Sequence, residues 1–180
     1  MQGIVRDSVG AESGHHALAP EFAAAGQEWG GIMRQPSGAG NCRLLFVYGT
    51  LRRGFELHHH LERLGAKFQD EAQVGAELVD LGRYPGALPA AGNGEWVHGE
   101  LFELRQPQPD LQVLDRVEGF IPSAPERSEF IRSTAEVILA NGARECAWIY
   151  WLAPSAPAGH RRIAGGDYAV WRAGEDGHGK

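Results

Sequence analysis

The residues Leu44-Leu45-Phe46-Val47-Tyr48 form an unbroken apolar or aromatic run that ends in Gly49-Thr50-Leu51-Arg52-Arg53-Gly54. A run of this length and content suits a strand buried on both faces. Gly49 interrupts it where the chain has to turn sharply or come close to another group. A buried strand ending in Gly-Thr leaves successive backbone N–H groups without ladder partners, a common way to build a small anion-binding nest. The stretch therefore reads as the binding loop of a small-molecule site.

Beyond Gly54, Leu57, Leu61 and Leu64 recur at helical spacing and Gly65 follows as a stop, so a short helix is expected. Gln73 to Leu81 alternates loosely as a strand, and Gly82-Arg83-Tyr84-Pro85-Gly86 reads as a turn or loop crossing. Trp96 to Leu104 is a second strand, with Gly99 inside it as the mark of a bulge or a barrel bend. Pro107 and Pro109 close that strand. Asp110 then opens a helix whose Leu111, Leu114 and Val117 share a face, and Gly119 stops it. Asn141-Gly142 between two strand-like runs, Glu136–Ala140 and Ala143–Trp151, is the signature of a type I′ hairpin. The aromatic and β-branched stretch Trp148–Trp151 predicts a central strand. Five or more strands and two or three short helices, with no repeat, pack most naturally as a small barrel-like sheet flanked by helices.

The chain has 180 residues, fitting one domain with some trim, and its 43% hydrophobic content is ordinary for a globular fold. Residues 1–40 mix Gly, Ala, Ser and Pro without a lasting period, so they are expected to be a flexible, disordered leader. The domain is expected over 41–173, with a polar tail over 174–180. A net charge of −6 argues against a nucleic-acid partner. No apolar stretch approaches the length of a membrane span, and no signal pattern opens the chain. Two cysteines, Cys42 and Cys146, give neither a disulfide framework nor zinc spacing; buried inert thiols in a reducing cytoplasm are the expectation.

Glu118 is the sharpest chemical candidate. It closes the Asp110–Val117 helix, where the partial negative charge of the helix end disfavours a carboxylate. Partial burial would raise its pKa in the same direction, as a general base working near neutrality requires. A solvated helix-end glutamate is the commoner outcome, and local physics leaves both readings open.

Four segments in order, Val47–Gly54, Tyr84-Pro85-Gly86-Ala87, Val97–Leu104 and Leu114–Phe120, resemble the gamma-glutamylcyclotransferase-like family, most of all the branch of gamma-glutamylamine cyclotransferase and small bacterial homologues. The resemblance runs from about Arg43 to Trp171. It implies an α+β fold, a small mixed, mostly antiparallel β-barrel flanked by short helices. It also implies that Tyr48, Gly49, Thr50 and Leu51 hold the glutamyl head and that Glu118 is the catalytic acid/base. The family's Tyr-x-Arg pair falls on Phe130 and Arg132, with the phenol lost. Its near-terminal Ile-x-x-Gly-Asp-Trp pattern falls on Ile163–Tyr168, again with an aromatic exchanged. Tyr84 stands as a packed loop aromatic or a wall of the substrate pocket.

The implied reaction closes a γ-glutamyl amine or γ-glutamyl amino acid to 5-oxoproline, the substrate's α-amine attacking its own γ-carbonyl and expelling an amine. The nucleophile belongs to the substrate, and neither cofactor nor metal is called for. The alternatives are the same site acting on a γ-glutamyl-protected metabolite in a biosynthetic pathway, or a non-catalytic small-molecule-binding module. His58-His59-His60 point roughly 100° apart on a helix and do not converge on one ion. Glu100 and Glu103 have opposite strand parity and face different sides. Arg52 and Arg53 read as a solvated loop edge or as steering charges for an anionic substrate. The leaving amine and the oligomeric state are not indicated.

Overall fold

The computed structural model describes residues 42–90, 94–154 and 159–177. The leader expected over 1–40 lies outside the described residues, as do 178–180 of the polar tail. Chain order is β1 (Leu44–Val47), α1 (His59–Leu64), β2 (Lys67–Asp80), β3 (Pro85–Pro89), β4 (Trp96–Glu103), α2 (Pro107–Val117), a 3-10 turn (Pro125–Arg127), β5 (Phe130–Leu139), β6 (Arg144–Leu152), β7 (Arg161–Arg162) and α3 (Tyr168–Gly177). Neighbours run β2-β4-β1-β6-β5, and β5 pairs back onto β2 through Ala72↔Leu139 and Gln73↔Ile138. Five strands thus close a mixed barrel. Only β1–β6 is parallel among these pairs, and β3 and β7 extend β2 beyond it. Closure leaves the barrel strands without free edges.

The apolar runs divide by parity. Phe46 of β1 and Tyr48 just after it join the barrel interior, while Leu45 and Val47 face an outer core. On β6, Ala147, Ile149 and Trp151 point inward, and Trp148, Tyr150 and Leu152 point outward. Burial on both faces is what the continuous runs at Leu44–Tyr48 and Trp148–Trp151 call for, and both occupy central positions. The outer core is capped by Leu61 of α1 and by Leu111 and Leu114 of α2. At these sites truncation to alanine costs about 2–5 kcal/mol. This contact clamps α2 against the strands that carry the glycine loop.

Several local details differ from the sequence reading. Helix α2 begins at Pro107 rather than Asp110, because proline is well suited to a first helical position whose N–H has no partner. Asp110 instead accepts the Gln106 N–H at 2.8 Å. The β5–β6 connection is not type I′, since no non-glycine residue among those described, Asn141 included, has positive φ. Gly142 donates to the Leu139 carbonyl at 2.9 Å and takes φ 83°, a type I turn followed by a left-handed glycine. The ladder irregularity in β2–β4 falls at Phe68/Asp70, not at Gly99. Gly99 serves a close approach: a Cβ there would lie 2.3 Å from the Val47 carbonyl oxygen. Cys42 is buried but Cys146 is exposed, contrary to the expectation of two buried thiols.

Candidate active site

The loop after β1 is held from three sides. Tyr48 keeps its phenol inside the barrel, donating to the Tyr150 carbonyl at 2.7 Å and accepting the Ala87 N–H at 3.2 Å. Burial first, then the nearby Glu118 charge, pushes this phenol far above its ordinary pKa, so it stays neutral. Arg52 N–H closes the turn onto the Gly49 carbonyl at 3.0 Å, and Leu57 N–H returns to the Thr50 carbonyl at 3.1 Å. Gly49 packs against Pro85, whose Cγ would sit 2.9 Å from any Cβ at that position. No acceptor within the described residues takes the N–H of Thr50 or Leu51, so this turn offers donors outward.

Both Arg52 and Arg53 are ion-paired rather than open steering charges; Arg52 is largely buried, whereas Arg53 keeps a half-exposed side chain at the loop edge. Arg52 Nη1 lies 2.8 Å from Asp167 Oδ1 with its side chain only 11% exposed. Arg53 Nε lies 3.3 Å from Glu100 Oε1, and its N–H donates to Glu100 Oε2 at 3.0 Å. Asp167 also accepts the Ala169 N–H at 2.9 Å, capping α3. Burial works to raise the Asp167 pKa, but Arg52 and the backbone donors prevail and hold it low. Glu100 shares the parity of Phe102 on the outer face of β4 and meets this cluster there, whereas Glu103 has the opposite parity, that of Leu101, and pairs with Arg43 at the end of the strand. The ring of His58 contacts the Leu51 carbonyl at 3.0 Å and helps brace the loop.

Across from the loop stands Glu118, the C-cap of α2. Its N–H completes the helix on the Leu114 carbonyl at 2.9 Å. Gly119 then turns left-handed at φ 66°, and Phe120 N–H reaches back to the Asp115 carbonyl at 2.8 Å, the Schellman closure. This abrupt stop leaves Glu118 on the wall of one cleft with Tyr48, Gly49, Thr50 and Leu51, while Phe46, Val47, Pro85 and Tyr150 complete the lining. The cleft is narrow and holds about 330 Å³ out to its mouth. It is a narrow pit, suited to the end of a chain rather than to a bulky ring. Among the described residues Glu118 has no salt bridge and no side-chain hydrogen bond, and the only charged group acting on it is Glu129. Burial chiefly, with the like charge of Glu129 second, raises its pKa to about 7.

Tyr84, Phe130 and Arg132 stand back from these walls. The Tyr84 hydroxyl donates to Glu129, and its ring lies 6.2 Å from that of Phe130, which is buried in the outer core. Arg132 Nε lies 2.8 Å from Asp115 Oδ1, with its guanidinium 4.9 Å from the Trp148 ring. Sequence reasoning missed Tyr150 and Glu129. Tyr150 sits in the aromatic run of β6, where outward parity was the available signal; nothing local marks Glu129. Among the described residues no three His, Cys, Asp or Glu are grouped to hold a metal. No helix of the described residues is long and apolar enough to cross a membrane.

A closed mixed barrel with a glycine loop at one strand end and an unpaired carboxyl facing it defines a small β-barrel enzyme working on a small molecule. Residues 45–170 match the family described as "Gamma-glutamyl cyclotransferase, AIG2-like". A Vibrio cholerae protein bearing the name "Putative gamma-glutamylcyclotransferase" is 35% identical over 107 residues, 59% of this chain and 79% of that one. A Niallia circulans protein, "Gamma-L-glutamyl-butirosin B gamma-glutamyl cyclotransferase", is 31% identical over 107 residues, 59% of this chain and 64% of that one. A solved Bacillus subtilis structure shares the fold at a TM-score of 0.59 and 22% identity, with 76% of this chain aligned but only 43% of that chain. The chain belongs to the gamma-glutamyl cyclotransferase, AIG2-like family.

Proposed function

We propose that the protein cyclises γ-glutamyl amides to 5-oxoproline with release of an amine, using Glu118 as the single acid/base. What carries the reading is the placement of an unpaired glutamate, with a pKa of about 7, in the same narrow cleft as the outward N–H groups of Thr50 and Leu51. Near neutrality such a carboxylate takes a proton from the substrate's α-ammonium. The freed nitrogen attacks the γ-carbonyl carbon, and the C–N bond to the leaving group breaks from the tetrahedral intermediate. Glu118 returns its proton to the departing nitrogen, then takes the second proton that the attacking nitrogen must lose as the lactam forms and passes it to the amine, which leaves as an ammonium. Atoms, protons and charge then balance, with Glu118 again ionised and neither water nor a protein nucleophile consumed.

The remaining parts act on geometry and charge. The Gly49–Leu51 turn is suited to an anionic oxygen, either the α-carboxylate or the developing oxyanion. The narrow pit favours the folded rotamer in which amine and carbonyl meet, and well-oriented intramolecular reactions reach effective molarities of about 10⁵–10⁸ M. Tyr48 is committed to two internal hydrogen bonds and serves the wall rather than the proton transfer. Tyr84, Phe130 and Arg132 belong, on this reading, to the support behind the cleft.

The same machinery serves a second reading, removal of a γ-glutamyl group from a protected metabolite during its biosynthesis, which the Niallia circulans relative favours. A panel of γ-glutamyl amines, γ-glutamyl amino acids and bulkier γ-glutamyl conjugates separates the two by relative kcat/KM. A non-catalytic binding module has no use for a raised carboxyl facing the loop. The decisive test is chromatographic detection of 5-oxoproline from such substrates with the wild type and Glu118→Gln. Release by the wild type and its loss in the variant are expected; full activity in Glu118→Gln would falsify the assignment.

A further inference from the structure

The only two cysteines of the chain are 104 residues apart, and the fold brings them together. Cys42 stands two residues before β1, and Cys146 lies on β6. These strands are parallel neighbours, with Leu44 opposite Ala147. Carrying that register back sets Cys42 one residue out of level with Cys146, a Cα separation of about 6 Å at ordinary parallel spacing. A disulfide spans about 4.4–6.8 Å. Both side chains lie on the same side of the sheet: Cys42 packs in the outer core with Trp148, whose outward parity Cys146 shares.

Hydrogen bonds hold Cys42 in that place. Its thiol donates to the Cys146 carbonyl at 2.9 Å, and its own carbonyl accepts the Trp148 indole N–H at 3.1 Å. The Cys146 thiol is itself in hydrogen-bonding contact with that of Cys42. Exposure divides the pair, since Cys42 is buried and Cys146 is open to solvent. Burial chiefly pushes the Cys42 thiol up to about 11, so it stays protonated while a dissolved oxidant meets Cys146 first. An accessible thiol with a second one held beside it is the arrangement that converts oxidation into a reversible cross-link.

We infer that Cys42 and Cys146 are a site of reversible oxidation, in which a hydroperoxide joins them into a disulfide tying the start of β1 to β6. The Cys146 sulfur attacks one peroxide oxygen, the O–O bond breaks, and a sulfenic acid and one water form. The Cys42 sulfur then displaces the sulfenic hydroxyl, which leaves as the second water with the Cys42 proton. Two thiols lose two electrons and two protons, and the peroxide takes up both. Neither cysteine lines the cleft, so the cross-link acts on stability through the long loop it closes.

The test treats the reduced full chain with dilute hydrogen peroxide and digests it with trypsin in the absence of reductant. The intact mass should fall by about 2 Da, the loss of two hydrogens. The fragment ending at Arg43 should be linked to the one beginning at Glu145. The Tm should rise by at least about 4 °C, and dithiothreitol should reverse all three changes. Cys146→Ser changes an exposed side chain, keeps the fold, and should leave Cys42 unmodified under the same treatment. Cys42→Ser should leave Cys146 as a sulfenic acid that dimedone traps. In urea, where the strand register is lost, the yield of the cross-link should fall by about tenfold or more. Over-oxidation of Cys146 beside a free Cys42, a cross-link that lowers the Tm, or equal yields in the folded and unfolded chain would each overturn the inference. None of these readouts measures turnover, so they stand apart from the proposed reaction and from the test of Glu118.

Discussion

Two glutamates flank the glycine loop, and the protein treats them in opposite ways. Glu100 on β4 is buried among cations: Arg53 at 3.3 Å, Arg52 at 4.0 Å, and the Arg53 N–H at 3.0 Å. Glu118 at the end of α2 has no cation paired with it among the described residues and a like charge from Glu129 for a neighbour. The first arrangement satisfies a charge and thereby staples the loop to the barrel and, through Arg52 and Asp167, to α3. The second leaves a carboxyl poised between its two protonation states. Residue type is the same; the partners decide whether it holds structure or moves protons.

The largest effect that sharpens this contrast is Glu118→Gln, expected to lower kcat by about 10²–10⁴, the usual range for a lost general acid/base, with the fold retained. Stability should move the other way. Because the folded pKa of about 7 exceeds the unfolded value, the folded state binds the proton more tightly, and wild-type stability falls as pH rises from about 4.5 through 7. Glu118→Gln removes that loss. Its gain is on the order of 1–3 kcal/mol at pH 8 and near zero at pH 4, measurable by urea unfolding at both values.

Glu100→Gln should invert the pattern. Breaking a buried ion pair by removing one partner costs about 3–5 kcal/mol, and the half-solvated Arg53 places this case at the lower end. The folded fraction should keep a kcat within about threefold of the wild type while KM rises, since the variant loosens the loop without touching the acid/base. A kcat loss matching that of Glu118→Gln would erase the distinction between the two carboxylates.

The contrast also explains how much could be read from sequence. Central strands were legible because runs such as Leu44–Tyr48 and Trp148–Trp151 are apolar on both faces, a local property. The helix ending at Glu118-Gly119 and the β5–β6 hairpin were legible for the same reason. The turn type at Asn141-Gly142 was not, because Asn-Gly also serves a turn with only glycine in the left-handed region. Local sequence places Glu118 at a helix end but is silent on what faces it; Glu129 is eleven residues away around a loop. The ion pairs of Arg53 and Arg52 were not legible because their partners, Glu100 and Asp167, are separated from them by 47 and 115 residues respectively. Arg132 was assigned to the substrate through resemblance, whereas its partner, Asp115, is set by the packing of α2 on β5. Long-range electrostatic pairing follows from topology, and composition alone does not encode it.

The finest adjustment of the contrast is Glu129→Gln. Burial remains the main cause of the raised Glu118 pKa, so deleting the like charge shifts the acid limb of kcat/KM downward by less than about one pH unit. Activity at pH 6 should rise by a few fold, whereas at pH 8, where Glu118 is already ionised, it should hardly change. Glu129 is exposed, so added salt should screen it and reproduce part of the same shift in the wild type; salt should have a smaller effect on Glu129→Gln. The Tyr84 hydroxyl loses a charged acceptor in this variant but remains outside the cleft wall, so KM should stay within about twofold. A limb that stays in place in both the variant and high salt would mean that burial sets the Glu118 proton affinity alone, and Glu118 would then differ from Glu100 by the absence of cations rather than by the presence of a neighbouring anion.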